Sequence, residues 1–151
     1  MNGYKNILIT LHEREKQEFG EGFLFAGAEH KDLQKLVDRS MQELNITLDK
    51  SYLDFLEFTN GLDYDGLVIY GTERYQNGND FQEGFVEANA EFRKDPELQH
   101  YICYGDENST RQVFNLKTSR FEIIDRVAWD AISQHDTFDD MLLTAIQNLD
   151  S

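Results

Sequence analysis

Among its 151 residues the chain has one cysteine and one proline. Without a second cysteine, Cys103 can form no internal disulfide, and its place in an apolar stretch agrees with a reducing compartment. One proline and no Ser/Gly-rich tract exclude the composition of a linker or disordered tail. Long apolar runs are also missing. Met1 to Lys16 is polar and charged, with no apolar segment of signal-peptide length, and no run approaches the length that spans a bilayer. A cytoplasmic protein with no membrane partner is expected. Positive charge is scarce: 14 Lys and Arg stand against 29 Asp and Glu, a formal net charge of -15. This excess repels phosphates, so no nucleic-acid partner is expected, and it attracts basic proteins and speeds their association. An acidic cytoplasmic protein with no special partner is equally compatible with the charge alone.

Apolar residues are plentiful. They make up 40% of the chain, with 11 Phe and 7 Tyr. A chain of this length forms one domain, residues 1–151, that buries about 70% of its unfolded surface and needs neither disulfide nor metal to hold a core.

Periodicity divides the chain. Tyr4, Ile7, Leu8 and Leu11 stripe a first helix that fades in the charged run Glu13 to Glu18, and Phe19 to Ala28 reads as a glycine-punctuated, flexible connector. Leu33, Leu36, Val37, Met41 and Leu44 mark a second helix. A third runs from an Asp49 cap to Asn60, with Tyr52, Phe55, Leu56 and Thr59 at i, i+3, i+4 and i+7 and Gly61 as a left-handed stop. The two helices are expected to form an antiparallel αα-hairpin. Asp63 to Gly66 reads as a turn, Leu67 to Tyr70 as a first strand, and Thr72 to Asn79 as a polar loop. Phe81, Phe85, Ala88 and Phe92 then fall on one helix face, and Pro96 bars continuation. His100 to Gly105, Arg111 to Asn115 and Arg120 to Asp125 read as an antiparallel meander. A closing helix carries Phe138, Met141, Leu142, Ala145, Ile146 and Leu149 after a cap at Asp136 or Thr137 and packs on that sheet. The fold class is α+β, a small antiparallel sheet packed with several helices. Phe55, Leu56, Val68, Trp129 and Phe138 are expected in the core.

The order leucine, cap, aromatic, Phe-Leu, Asn-Gly, short turn and hydrophobic strand, carried by Leu48 to Gly71, resembles the signature of the SUKH superfamily, the Smi/Knr-like proteins, and within it the YrhA-like branch. The similarity runs from about residue 30 to the C-terminus. Relatives usually carry Leu-Pro before this helix; here Asp49 follows Leu48 and opens the helix by side-chain capping. Many relatives also follow Asn-Gly with a second glycine, where this chain has Leu62. The resemblance implies a SUKH-like domain and an immunity protein, one that neutralises a bacterial toxin.

Catalytic patterns do not emerge from the sequence. Histidines 12, 30, 100 and 135 lack zinc-site or metalloprotease spacing and read as surface residues. Asp63-Tyr64-Asp65-Gly66 has only part of a calcium loop, the glycines of the connector do not precede a phosphate-binding Lys-Ser/Thr, and no serine lies in a nucleophile elbow. No catalytic residue, cofactor or metal is expected. What remains is acidic surface: Glu83, Glu87 and Glu91, expected at i, i+4 spacing along one helix, and Asp63, Tyr64, Asp65, Asp106 and Glu107 in two turns, the tyrosine offering an anchor. The row reads equally as an ordinary solvated helix face. Two functions stand: an immunity protein that blocks a cationic toxin domain, commonly a basic nuclease in this superfamily, by occlusion, or a regulatory adaptor of the same fold that binds a housekeeping protein.

Overall fold

In the computed structural model, which describes residues 3–150, helix α1 (Tyr4–Phe19) continues through the charged run Glu13 to Glu18, where it was expected to fade. Glu, Arg, Lys and Gln are strong helix formers, so the run extends the helix on an exposed face until Gly20 ends it at φ 89°. The following segment is tied down more than a flexible connector would be. His12 Nδ1 accepts hydrogen bonds from the amides of Phe23 and Leu24, both at 3.1 Å. Phe25 N donates to Thr59 Oγ1 at 3.0 Å and Ala28 N to Leu56 O at 2.7 Å. Gly27 is demanded here, since a β-carbon at that position would stand 1.9 Å from Glu57 O.

Helix α2 (His30–Arg39) runs into a wider π-type turn over Ser40–Leu44 that Asn45 closes at φ 56°. The extra residue in that turn rotates the stripe, so Met41, expected inside, is exposed, while Ser40 is buried. Helix α3 (Lys50–Phe58) opens as read: the Asp49 carboxylate accepts from Ser51 N at 3.0 Å, and Gly61 follows at φ 94°. Tyr52, Phe55, Leu56 and Thr59 are all buried. The α3 rings lie against Tyr4 of α1, Phe85 and Phe138, placing this helix at the centre of the core.

Strand β1 (Leu62–Tyr64) begins before the strand read from the sequence, and β2 (Leu67–Ile69) pairs with it across Asp65 and Gly66. Both turn residues have positive φ, 51° and 88°, the two-residue turn that matches strand twist and favours Asp-Gly. Asp63 and Tyr64 therefore lie in a strand, and only Asp65 is in the turn. The expected polar loop holds a small separate hairpin, β3 (Tyr75–Asn77) and β4 (Asp80–Gln82). Phe81 belongs to it and is exposed, not part of a helix. Helix α4 (Phe85–Phe92) starts only after Gly84, leaving Glu83 outside it.

The meander is present as β5 (Tyr101–Asp106), β6 (Thr110–Asn115) and β7 (Arg120–Asp125), and the sequence reading missed a further edge strand, β8 (Ala131–His135). The sheet order is β1-β2-β5-β6-β7-β8, antiparallel throughout. Helix α5 (Phe138–Gln147) is capped by Thr137 Oγ1, which accepts from Asp140 N at 3.0 Å. Phe138 meets Tyr104 and Phe121 of the sheet, so α5 packs there as expected. Phe55, Leu56 and Phe138 are fully buried, whereas Val68 and Trp129 are half-buried and pack at the margin of the core. Among the described residues no helix is long and apolar enough to cross a membrane.

Candidate functional site

Three turns lie side by side at one end of the six-stranded sheet: Asp65-Gly66, residues 107–109 and residues 126–130. Strand register sets this arrangement, because β2 pairs Val68 with Asp106 and β6 pairs Thr110 with Asp125. Arg126 stitches two of the turns together. Its amide donates to Ser109 O at 2.9 Å, and its guanidinium donates to Glu107 O at 2.9 Å. Val127 projects from the third turn, 87% exposed.

The sequence-derived acids divide between the two faces of this end. A β-bulge in β5 decides the division. Cys103 pairs with Val113 and Gly105 with Gln112, so two residues of β5 oppose one step of β6 and the alternation shifts. Cys103 and Asp106, which simple alternation would separate, consequently share the α4 face. There they line a hollow of about 300 Å³ with Tyr70, Glu83, Glu91 and Arg111.

Most charges around that hollow are matched within the molecule. Asp106 accepts from the Tyr70 hydroxyl at 2.7 Å and from Arg126 at 3.4 Å. Glu83 makes a two-point bond with Arg74, at 2.8 and 3.0 Å. Glu87 pairs with Arg39 at 3.2 Å and Glu91 with Lys94 at 2.6 Å. The Lys94 bond holds the Glu91 carboxyl below the usual carboxylate range. Glu83, Glu87 and Glu91 are thus no repelling row on one helix: Glu83 precedes α4, and each carboxylate has its own cation. Arg111 lies over the Phe92 and Trp129 rings, 5.2 and 5.7 Å from their centroids. Burial pushes the Cys103 thiol up, which disfavours a nucleophilic thiolate.

The α5 face differs. A hollow of about 360 Å³ is lined by Asp65, Glu107, Gln112, Leu67, Ile123 and Leu149, among others, with two carboxylates and no cation among the described residues of its wall. Glu107 Oε1 accepts from Ser109 N at 3.1 Å, Ser109 Oγ at 3.0 Å and Thr110 Oγ1 at 3.3 Å. Burial raises the Glu107 pKa, but these hydrogen bonds together with the Asn108 amide outweigh it and hold the carboxyl below the usual glutamate range. Tyr64 does not stand out as a free anchor, because it stacks on Phe23 with ring centroids 4.2 Å apart. Asp63 is exposed on the opposite face, in register with Val68.

One constellation escaped the sequence reading. Ser133 Oγ lies 2.8 Å from His135 Nε2, and His135 Nδ1 lies 2.6 Å from Asp140 Oδ2. The atom order is that of a hydrolytic triad. Ser133 lines neither hollow, however, and His135 is buried, so the chain of bonds ties edge strand β8 to the first turn of α5. The alternation Ser133-x-His135 was the available signal, since it puts both side chains on one strand face. Among the described residues no group of three His, Cys, Asp or Glu side chains could hold a metal ion. No protein-family model matches the chain, and no curated protein matches it closely.

Proposed function

We propose that the chain is a non-enzymatic, cytoplasmic immunity protein that binds a cationic toxin domain and blocks it by occlusion. The observation that carries the reading is the acidic end of the sheet, where Asp65 and Glu107 lie on neighbouring turns beside a hollow with no cation among its described lining residues, in a molecule of net charge -15. The similarity of Leu48 to Gly71 to the SUKH signature supplies the toxin as the kind of partner. Such a surface attracts a basic domain from a distance and makes association sensitive to salt. Exposed Val127 and the apolar floor of the hollow offer contact area once the partner has arrived. Asp63, Asp65 and Glu107 carry the attraction, and the paired acids Glu83, Glu87, Glu91 and Asp106 contribute less.

Affinity capture from the source cell with quantitative mass spectrometry tests this. A stoichiometric complex with a basic domain that is toxic when expressed without this protein is the expected result. Capture of a housekeeping protein alone would favour an adaptor, and turnover of a substrate by the purified chain would overturn the non-enzymatic reading.

A further inference from the structure

The α5-face hollow contains a polar group whose unmet requirement defines a ligand. Gln112 is 1% exposed, lines the hollow, and its Oε1 has no hydrogen-bond partner among the described residues. A buried amide oxygen left in this state costs about 1–3 kcal/mol, which calls for an explanation at this position.

The neighbouring bonds fix which end of the amide is free. Glu107, as a carboxylate, can only accept, so the Thr110 hydroxyl donates its proton to Glu107 Oε1 at 3.3 Å. The Thr110 oxygen is then left to accept, and it takes Gln112 Nε2–H at 3.0 Å. This relay leaves Gln112 Oε1 as the unpartnered atom. The lining of the hollow thus combines Gln112, with its buried unpartnered amide oxygen, and the two carboxylates Asp65 and Glu107, all acceptors, with the apolar Leu67, Ile123 and Leu149.

A ligand that fits must bring several donors, positive charge and an apolar stem. Arginine has five N–H donors, no acceptor and a three-methylene stem, and its guanidinium is more weakly hydrated than an ammonium. We propose that this hollow is the socket for one arginine side chain of the protein partner, its stem against Leu67, Ile123 and Leu149 and its guanidinium shared between Gln112 Oε1 and the Asp65 and Glu107 carboxylates. The inference rests on the reading of the chain as a binder of a cationic protein and names the residue that the partner inserts.

The test uses the isolated, isotope-labelled protein and needs no toxin, so its outcome is separate from that of the immunity reading. Capped Gly-Arg-Gly is titrated against the Gln112 side-chain amide and the Ile123 and Leu149 methyl signals. Capped peptides with lysine or with neutral citrulline in place of arginine, and free arginine, serve as comparisons. The expected result is saturable shifts confined to those groups, with each comparison ligand at least about tenfold weaker and Gln112→Leu losing binding by a similar factor. Asp65→Asn, at an exposed turn position whose positive φ asparagine also tolerates, provides a folded variant that should bind more weakly. Shifts scattered over the acidic surface, or no shift at all, would overturn the socket. Equal binding of lysine or citrulline would overturn the choice of arginine, and equal binding of free arginine would overturn the choice of a protein side chain.

Discussion

The side-chain amide of Asn89 pairs with both backbone groups of Cys103: Cys103 N donates to Asn89 Oδ1 and Asn89 Nδ2 donates to Cys103 O, each at 2.8 Å. Register explains the need. β2 pairs with β5 at Asp106 and Gly105, and Tyr70 N reaches Tyr104 O, so the β2 pairing stops short of Cys103. Helix α4 continues the ladder with one fully buried side chain and thereby fixes the wall of the α4-face hollow.

Replacing Asn89 with leucine should leave both Cys103 groups buried and unpaired, at about 1–3 kcal/mol each. Urea denaturation of Asn89→Leu checks this; stability equal to the wild type would show that the pairing carries no net weight.

Core truncations should rank by burial. Phe55→Ala should cost about 3–5 kcal/mol, since the ring is fully enclosed. Val68→Ala should cost clearly less, because Val68 is only half-buried at the margin. Denaturation midpoints that reverse this order would contradict the placement of the core.

The line Ser133–His135–Asp140 is expected to act as a brace. Ser133→Ala should lower stability by about 0.5–1.5 kcal/mol and leave partner binding unchanged. A serine-directed fluorophosphonate probe should not label the protein. Labelling that disappears in Ser133→Ala would show a nucleophile instead.

Acid should weaken the Glu107 turn. The folded-state pKa of Glu107 lies below the ordinary value of 4.5, so its stabilising contribution is complete above about pH 4.5 and is lost as pH falls through the lower, folded value. A carboxyl titration followed by NMR should place its midpoint below 4.5, and the double variant Ser109→Ala/Thr110→Val should move it upward by removing both hydroxyl donors. A midpoint unmoved by the double variant would assign the shift to the Ser109 and Asn108 amides alone.

Helix and strand legibility followed burial. The Asp49 cap and the buried stripe of helix α3 were readable, but its end was not: the helix stops at Phe58 and Thr59 is already extended, two residues short of the Asn60 end that Gly61 suggested. The β5–β7 meander was readable because its aromatic and β-branched runs sit between polar turns. β8 escaped because Ala131 to His135 is an edge strand with mostly exposed residues, which lack the apolar signal of an inner strand. The β3–β4 hairpin escaped for the same reason, and with it the true start of α4. Of the candidate site, Asp65, Asp106 and Glu107 were visible as acidic clusters, although Asp106 ends strand β5 and does not lie in the turn expected for it, and the meeting of these acids at one end depends on β2 pairing with β5. The bulge at Cys103 to Gly105, which sends Asp106 and Gln112 to opposite faces, left no mark in the sequence pattern. Gln112 was invisible for a related reason: a glutamine in a strand reads as solvent-facing until the packing of α5 over the sheet is known.

The most direct test of the central claim is the association rate of the captured toxin domain, measured by stopped flow at low and high salt. The wild type is compared with Asp63→Lys/Asp65→Asn/Glu107→Gln, which alters the turn-end charge without imposing a new turn conformation, and with Glu91→Lys on exposed α4 surface. Steering by the acidic end predicts a wild-type rate that falls as salt rises, a low-salt rate at least about tenfold slower for the triple variant, and a smaller effect for Glu91→Lys. A triple variant that stays folded and associates at the wild-type rate at both salt concentrations would contradict the claim.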